Sequence, residues 1–290
     1  MNLSLFEPAF DRAGLARKLR ALAEENIWIG TSSWKYEGWL DQIYSHERYL
    51  SRGRYSKKRF ESDCLAEYSE TFPTVCGDFA FYQFPTPEFW SKLFGSVPTG
   101  LKIALKAPRD GLLDAEVLRT MFLDLLEPYK DRLGPIIFEF ATQNATLETF
   151  NRGLNRVFSS LNGINDFAVE VRNPEYLKPE YFACLQEHRV AHVFNSWTRM
   201  PSISEQMKIP GAFTTDFTVT RALLRPGRAY EQAVEKFQPY EKVQDENPEV
   251  RDALRDMIRR MKEERRAAYI YVNNRLEGNA PETIQAVVAD

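Results

Sequence analysis

Short apolar runs and longer amphipathic runs alternate along the chain, and the two obey different periods. The β-like runs are "IWIGT" (27–31), "VCGDFAFY" (75–82), "LKIALK" (101–106), "IIFEF" (136–140), "FAVEVR" (167–172), "AHVFN" (191–195), "TVTRALLR" (218–225) and "AYIYVNN" (268–274). They are rich in β-branched and aromatic residues, which suit a pleated, buried surface. Between them the spacing predicts helices over 112–130, 145–161, 178–188 and a long one near 229–265. In the last, Val250, Leu254, Met257, Ile258 and Met261 form one apolar stripe.

Strand and helix in alternation imply parallel strands joined by helical crossovers, and eight such units close as a (β/α)8 barrel of the α/β class. A single barrel domain over residues 1–290 is expected, with residues 1–26 as an N-terminal helical extension. The seventh run is the weakest, because "FTTDFTVTRALLR" also reads as a loop entering a helix. An open doubly wound sheet is the alternative, but no GxGxxG or GxxxxGK[ST] fingerprint accompanies it.

"FAVEVR" carries two charges where a buried strand should have none. Strand side chains alternate, so Glu170 and Arg172 share a face while Val169 and Val171 take the other. The same parity puts Lys102, Ala104 and Lys106 together, opposite Ile103 and Leu105, and Tyr271 with Asn273, opposite Ile270 and Val272. Lys106, Glu170, Arg172 and Asn273 are therefore expected to point into the barrel, with Glu139 and Arg225 beside them.

In a barrel the carboxyl ends of the strands carry the chemistry. Ser32, Ser33 and Trp34 follow the first strand, Asp78, Phe81 and Tyr82 end the second, Asn195, Ser196 and Trp197 follow the sixth, and Asn273, Asn274 and Arg275 follow the eighth. The expected catalytic set is Glu170, Arg172 and Lys106, with Glu170 as the group for proton transfer. Trp34, Asp78, Tyr82, Glu139, Trp197, Arg225, Asn273 and Asn274 are the expected substrate-binding set. Each has a structural counterpart: a self-neutralised Glu–Arg pair, a lysine stem along apolar surface, asparagines that cap a helix, aromatics that pack.

The chain has 290 residues, of which 38 are basic and 41 acidic, for a formal net charge of −3. That balance argues against a protein that coats a polyanion with its whole surface. One segment departs from it: "RYLSRGRYSKKRF" (48–60) has Arg48, Arg52, Arg54, Lys57, Lys58 and Arg59 among three aromatics, as a basic loop inserted after the first strand. Nucleic acid is the partner such a loop suits, through phosphate contacts and base stacking.

The start of the chain lacks a signal peptide's apolar region, and no run is long enough to span a bilayer, so a cytoplasmic protein without membrane contact is expected. Cys64, Cys76 and Cys184 fit no CxxC pattern. The three histidines, His46, His188 and His192, form no HExxH motif, and neither a metal nor a cofactor is expected.

"IWIGTSSWKYEGW", "FYQFP", "LKIALKAP", "RLGPIIFEF", "FAVEVRNPEY" and "YIYVNNRLEGNAPETIQAV", in this order, resemble the YecE-like family, also called domain of unknown function 72. The resemblance runs from about Ile27 to Val288 and implies a (β/α)8 barrel without implying a reaction. It lends support to Trp34, Phe81, Tyr82, Lys106, Glu170, Arg172, Asn273, Asn274 and Ala280. The chain departs from the family pattern at Cys76, Asp78 and Ala80, at "APRDGLL", at "RPG", which keeps Arg225 and Gly227 but lacks a histidine, and at Glu139. It is a divergent member on this reading. The expected function is metal-independent hydrolysis or lyase chemistry on a small polar or anionic substrate, sugar- or phosphate-containing. A nucleic-acid or phosphorylated-polymer binder, and a degenerate scaffold without catalysis, are the alternatives.

Overall fold

The computed structural model describes residues 10–109, 114–161 and 166–289. Eight parallel strands close into a barrel: β1 (Ile27–Thr31), β2 (Thr74–Gly77), β3 (Lys102–Lys106), β4 (Leu133–Phe140), β5 (Phe167–Val171), β6 (Ala191–Ser196), β7 (Phe217–Ala222) and β8 (Ala267–Val272). Each pairs with its neighbours in sequence, and β1 pairs with β8 to complete the cylinder. The (β/α)8 expectation holds, and the open-sheet alternative falls.

Two strands end earlier than their sequences suggest. β2 stops at Gly77, so Asp78, Phe81 and Tyr82 lie in the loop beyond it, and β7 stops at Ala222, three residues before Arg225.

The period-two pattern sorts the core into two shells. Cys76, Ala104, Ile137, Ala168, Val193, Val219 and Tyr271 fill the barrel, while Ile29, Val75, Ile103, Leu105, Phe138, Val169 and Ile270 face the helices. β1 and β2 approach so closely at the register pair Gly30 and Thr74 that a β-carbon on Gly30 would lie 1.9 Å from the Thr74 carbonyl oxygen.

Helices cover the outside, many opened by a side-chain cap. Asp11 caps Arg12–Glu24, Ser56 caps Lys57–Tyr68, Thr86 caps Pro87–Gly95, Thr146 caps Leu147–Ser159 and Asn247 caps Pro248–Glu264. The N-terminal helix is pinned to Lys57–Tyr68 by Glu67. This buried carboxylate accepts from the Arg12 guanidinium at 3.1 Å, the Ser45 amide at 2.9 Å and the Tyr49 hydroxyl at 2.7 Å.

The segment 48–60 is not a loop. It holds a short hairpin, Leu50–Ser51 against Arg54–Tyr55, and then the first turn of Lys57–Tyr68, whose Phe60, Cys64, Leu65 and Tyr68 are buried. The long helix expected near 229–265 is two, Tyr230–Phe237 and Pro248–Glu264, because Pro239 and Pro248 supply no amide to continue an α-helix. The helical stretch expected over 112–130 falls partly outside the described residues. Its described part changes winding, from Ala115–Leu118 through a wide π turn at Arg119–Leu123 to a tight turn at Glu127–Arg132.

Among the described residues no helix is long and apolar enough to cross a membrane. The three cysteines are free and buried.

Candidate functional site

Register brings two carboxylates side by side at the top of the barrel, for Glu139 on β4 stands opposite Glu170 on β5. Like charges on adjacent strands repel, so the pair needs cations. Three provide them. Lys106 on β3 places Nζ 3.1 Å from Glu139 Oε2; Arg172, just past β5, places Nη2 2.6 Å from Glu170 Oε1 and 3.5 Å from Glu139 Oε2. The third, Arg221 on β7, donates from Nη1 to Glu139 Oε2 at 2.7 Å and to Glu170 Oε2.

Lys106, Arg172 and Arg221 against Glu139 and Glu170 leave the network one positive charge in excess. Glu170 is fully buried, Arg172 and Arg221 nearly so, whereas the Glu139 side chain keeps 18% of its surface and Lys106 10%. Burial alone would raise the Glu139 carboxyl, but Arg221, Arg172 and Lys106 outweigh it and hold the group at about 2. For Arg172 burial dominates the two carboxylates and lowers its pKa. Glu139 is thus ionised at neutral pH. Beneath the network, burial pushes the Cys76 thiol up to about 11 despite Arg221 and Lys106, so it stays protonated.

Aromatic faces cover the cations where carboxylates do not. Lys106 Nζ lies 4.2 Å from the centroid of Phe81, and the Arg172 guanidinium 4.0 Å from that of Trp197. Arg172 also donates to Asn195 Oδ1 at 3.1 Å, and Asn195 is held in turn by Gln206, which donates to its carbonyl at 2.7 Å. These polar partners and aromatic faces fix the rotamers of the positive groups.

The expected residues are thereby separated into two groups. Lys106, Glu139, Glu170, Arg172 and Trp197 meet in one network. Arg225 does not join it; it ends on Asp245 at 2.9 Å, outside the barrel mouth, because β7 stops at Ala222 and the chain has turned away by position 225. The inward arginine of β7 is Arg221, which the sequence reading passed over. Its signal was the one that marked Glu170, a charge in mid-strand on the same parity as the inward Val219.

The remaining expected residues line or approach the mouth in other ways. Asn273 Oδ1 accepts from the Arg275 amide at 2.9 Å and caps the short helix Asn274–Glu277, while Asn274 Oδ1 accepts from Ala280 N at 2.8 Å. Trp34 is buried against Phe79, whereas Asp78 is exposed and Tyr82 keeps 76% of its surface. Ser32 Oγ, Trp34 Nε1 and Asn274 Nδ2 are buried polar atoms without a hydrogen-bond partner among the described residues. They lie at the joined ends of β1 and β8, where the Ser32 amide donates to the Val272 carbonyl at 2.9 Å. Such atoms are costly unless something fills their bonds.

Among the described residues no group of three His, Cys, Asp or Glu is placed to hold a metal ion. His192 is buried on the helix side of β6 between Tyr181, Phe182 and Phe194, away from the inward network.

The family profile described as "Protein of unknown function DUF72" matches residues 28–290. Solved structures with the same fold include a DUF72 family protein of Enterococcus faecalis V583. It is 17% identical, with a TM-score of 0.65 over 90% of this chain and 94% of that one. Another is a DUF72 family protein of Thermotoga maritima MSB8, also 17% identical, with a TM-score of 0.60 over 90% of this chain and 97% of that one. No protein of curated function matches. A barrel of eight parallel strands with this set of strand-end words, matched over nearly its whole length, belongs to the DUF72 family.

Proposed function

We propose that the protein binds a small anionic, hydroxyl-bearing metabolite at the mouth of the barrel and acts on it by hydrolysis or elimination without a metal. The observation that carries this is the unbalanced network: three cations on two carboxylates, held by aromatic faces and Asn195, with Lys106 and Glu139 reaching solvent. A site with fixed, partly desolvated positive charge favours a bound anion and any negative charge that develops on it. The orphaned Ser32 Oγ, Trp34 Nε1 and Asn274 Nδ2 supply hydrogen-bonding groups of the kind a sugar or phosphate ester takes up.

This assigns roles differently from the strand pattern alone. Glu170 is closed between Arg172 and Arg221 and serves to hold them, while Glu139 is the carboxylate that faces a ligand. Held at about 2, Glu139 is a weak base and no acid at neutral pH, so the main catalytic contribution is electrostatic, from Lys106 and Arg172.

The test is a panel of sugar phosphates, carboxylates and neutral sugars screened by thermal stabilisation and by product formation. Anionic members should stabilise the chain and lose that effect in Lys106→Met. Stabilisation by neutral sugars alone, or by anions indifferent to Lys106→Met, would overturn the reading.

A second reading rests on a separate observation. Arg52 and Gly53 form the tip of the hairpin, both with positive φ, and Arg52, Arg54, Lys57 and Lys58 are exposed without an ion-pair partner among the described residues. Single-stranded nucleic acid suits that tip. Its binding should weaken steeply with salt and vanish when those four residues become alanine.

A further inference from the structure

A second set of cations gathers after β7, and none of them belongs to the network in the barrel. Arg225 Nη1 lies 2.9 Å from Asp245 Oδ1, Lys236 Nζ 2.7 Å from Asp245 Oδ2, and Arg228 Nη2 also donates to Oδ2. No other carboxylate among the described residues pairs with these three, so the cluster carries two positive charges in excess.

The cluster is built rather than a chance of mobile side chains. Phe237 lies beneath the Arg228 guanidinium at 5.0 Å and beneath Lys236 at 5.4 Å, and Arg228 Nη1 is buried with no hydrogen-bond partner among the described residues. The turn that presents Arg228 is tied to the loop after β6, where Gly227 donates to the Thr198 carbonyl and Thr198 Oγ1 to the Arg228 carbonyl, both at 2.9 Å. Asp245 comes from a different element. Its amide and that of Gln244 donate to the Glu277 carbonyl at 3.1 and 2.8 Å, so its backbone is fixed while its carboxylate reaches across to the cations.

We infer that Arg225, Arg228 and Lys236 form a phosphate-binding subsite whose anion position is filled by the carboxylate of Asp245. A carboxylate supplies one charge and two oxygens, whereas a phosphate monoester supplies close to two charges and three terminal oxygens, one for each of the three cations. Barrels of this class frequently bind phosphate on the loops after the seventh and eighth strands, and the cluster lies after the seventh. Arg275, in the short helix after β8, stacks at 4.5 Å on Tyr230 of the same helix as Lys236 and carries a buried Nε without a hydrogen-bond partner among the described residues. Asp245 is 21% exposed and Arg225 39%, so a rotation of the aspartate side chain opens the site without moving its loop. Asp245 then acts as a built-in competitor that sets the threshold for occupancy.

Calorimetry with inorganic phosphate on the full chain, at ionic strength matched with chloride, tests this. Asp245→Asn should raise phosphate affinity at least ten-fold, and adding Arg228→Met or Arg225→Met should remove the gain. In the wild-type chain, Arg225→Met, which changes a partly exposed side chain, should abolish the thermal stabilisation that millimolar phosphate gives. An unchanged or weaker affinity in Asp245→Asn overturns the subsite, and so does stabilisation that survives Arg225→Met. If phosphate binding is instead lost in Lys106→Met and kept in Arg225→Met, the anion binds in the barrel network and the subsite fails while the mouth reading stands.

Discussion

Arg221 closes on Glu170 across the intervening β6, joining β7 to β5 through a carboxylate that has no exposed surface. Burying such a pair gains little net stability, but removing one partner leaves an uncompensated charge in a site water does not reach. Glu170→Gln, which raises the surplus of the network from one positive charge to two, should cost about 3–5 kcal/mol, and Arg221→Met, which leaves two cations on two carboxylates, should cost less. The double variant should cost less than the sum of the two. Urea titration of the three variants gives the coupling energy; strict additivity would show that the pair does not act as a unit.

What the sequence showed of this site follows from what strand parity can and cannot carry. Parity placed Lys106, Glu170 and Arg172 together because each stands at the end of a strand run in which apolar neighbours alternate with it. It misplaced Arg225, because the apolar residues Leu223 and Leu224 continue the β-like run past Ala222, where the strand ends. Composition flagged 48–60 as a basic loop, yet Phe60, Cys64 and Tyr68 already stand at helical spacing, and that period, not the charge, decides the local fold. The Asp245 cluster was out of reach, since Arg225, Lys236 and Asp245 meet only through tertiary contacts.

Gly30 is required by the approach of β1 to β2, not by its backbone angles. A β-carbon there would overlap the Thr74 carbonyl, so the strands must part at the seam where the barrel's first two strands join. Gly30→Ala is expected to destabilise the fold by about 3 kcal/mol, at the upper end of overpacking costs. Gly153→Ala, where a β-carbon meets open space, is the control and should be neutral or slightly stabilising. Equal melting temperatures for the two variants would refute the steric argument.

Glu67 ties the N-terminal helix to the barrel's first crossover. It faces Arg12 from one side and Tyr49 and the Ser45 amide from the other, at 1% exposure. Its charge and hydrogen bonds also raise the pKa of the Tyr49 hydroxyl, after burial the largest influences on that group. Glu67→Leu should strand the Ser45 amide and the Tyr49 hydroxyl without acceptors and cost about 3 kcal/mol. Limited proteolysis should then cut near Arg12–Glu24 sooner than in the wild type. Unchanged protection of that helix would show that its apolar contacts suffice.

His192 makes the fold sensitive to acid. Burial lowers its pKa from 6.5 to about 4, only partly opposed by Gln206, so the folded chain holds it neutral. In the unfolded chain the ring binds a proton near pH 6.5, so between that value and 4 the unfolded state carries more protons and stability falls with falling pH. Above pH 6.5 the group contributes nothing. Integrated down to pH 4, a shift of this size costs about 3 kcal/mol. Glu139 and Asp245, both held near 2, begin to contribute only below their ordinary values near 4 and add to the loss there. Measured by urea titration at stepped pH, stability should decline from pH 6.5 to 4.5. In His192→Gln it should stay nearly flat over that range, with the decline below pH 4 retained. A parallel decline in the variant would assign the acid sensitivity to other groups.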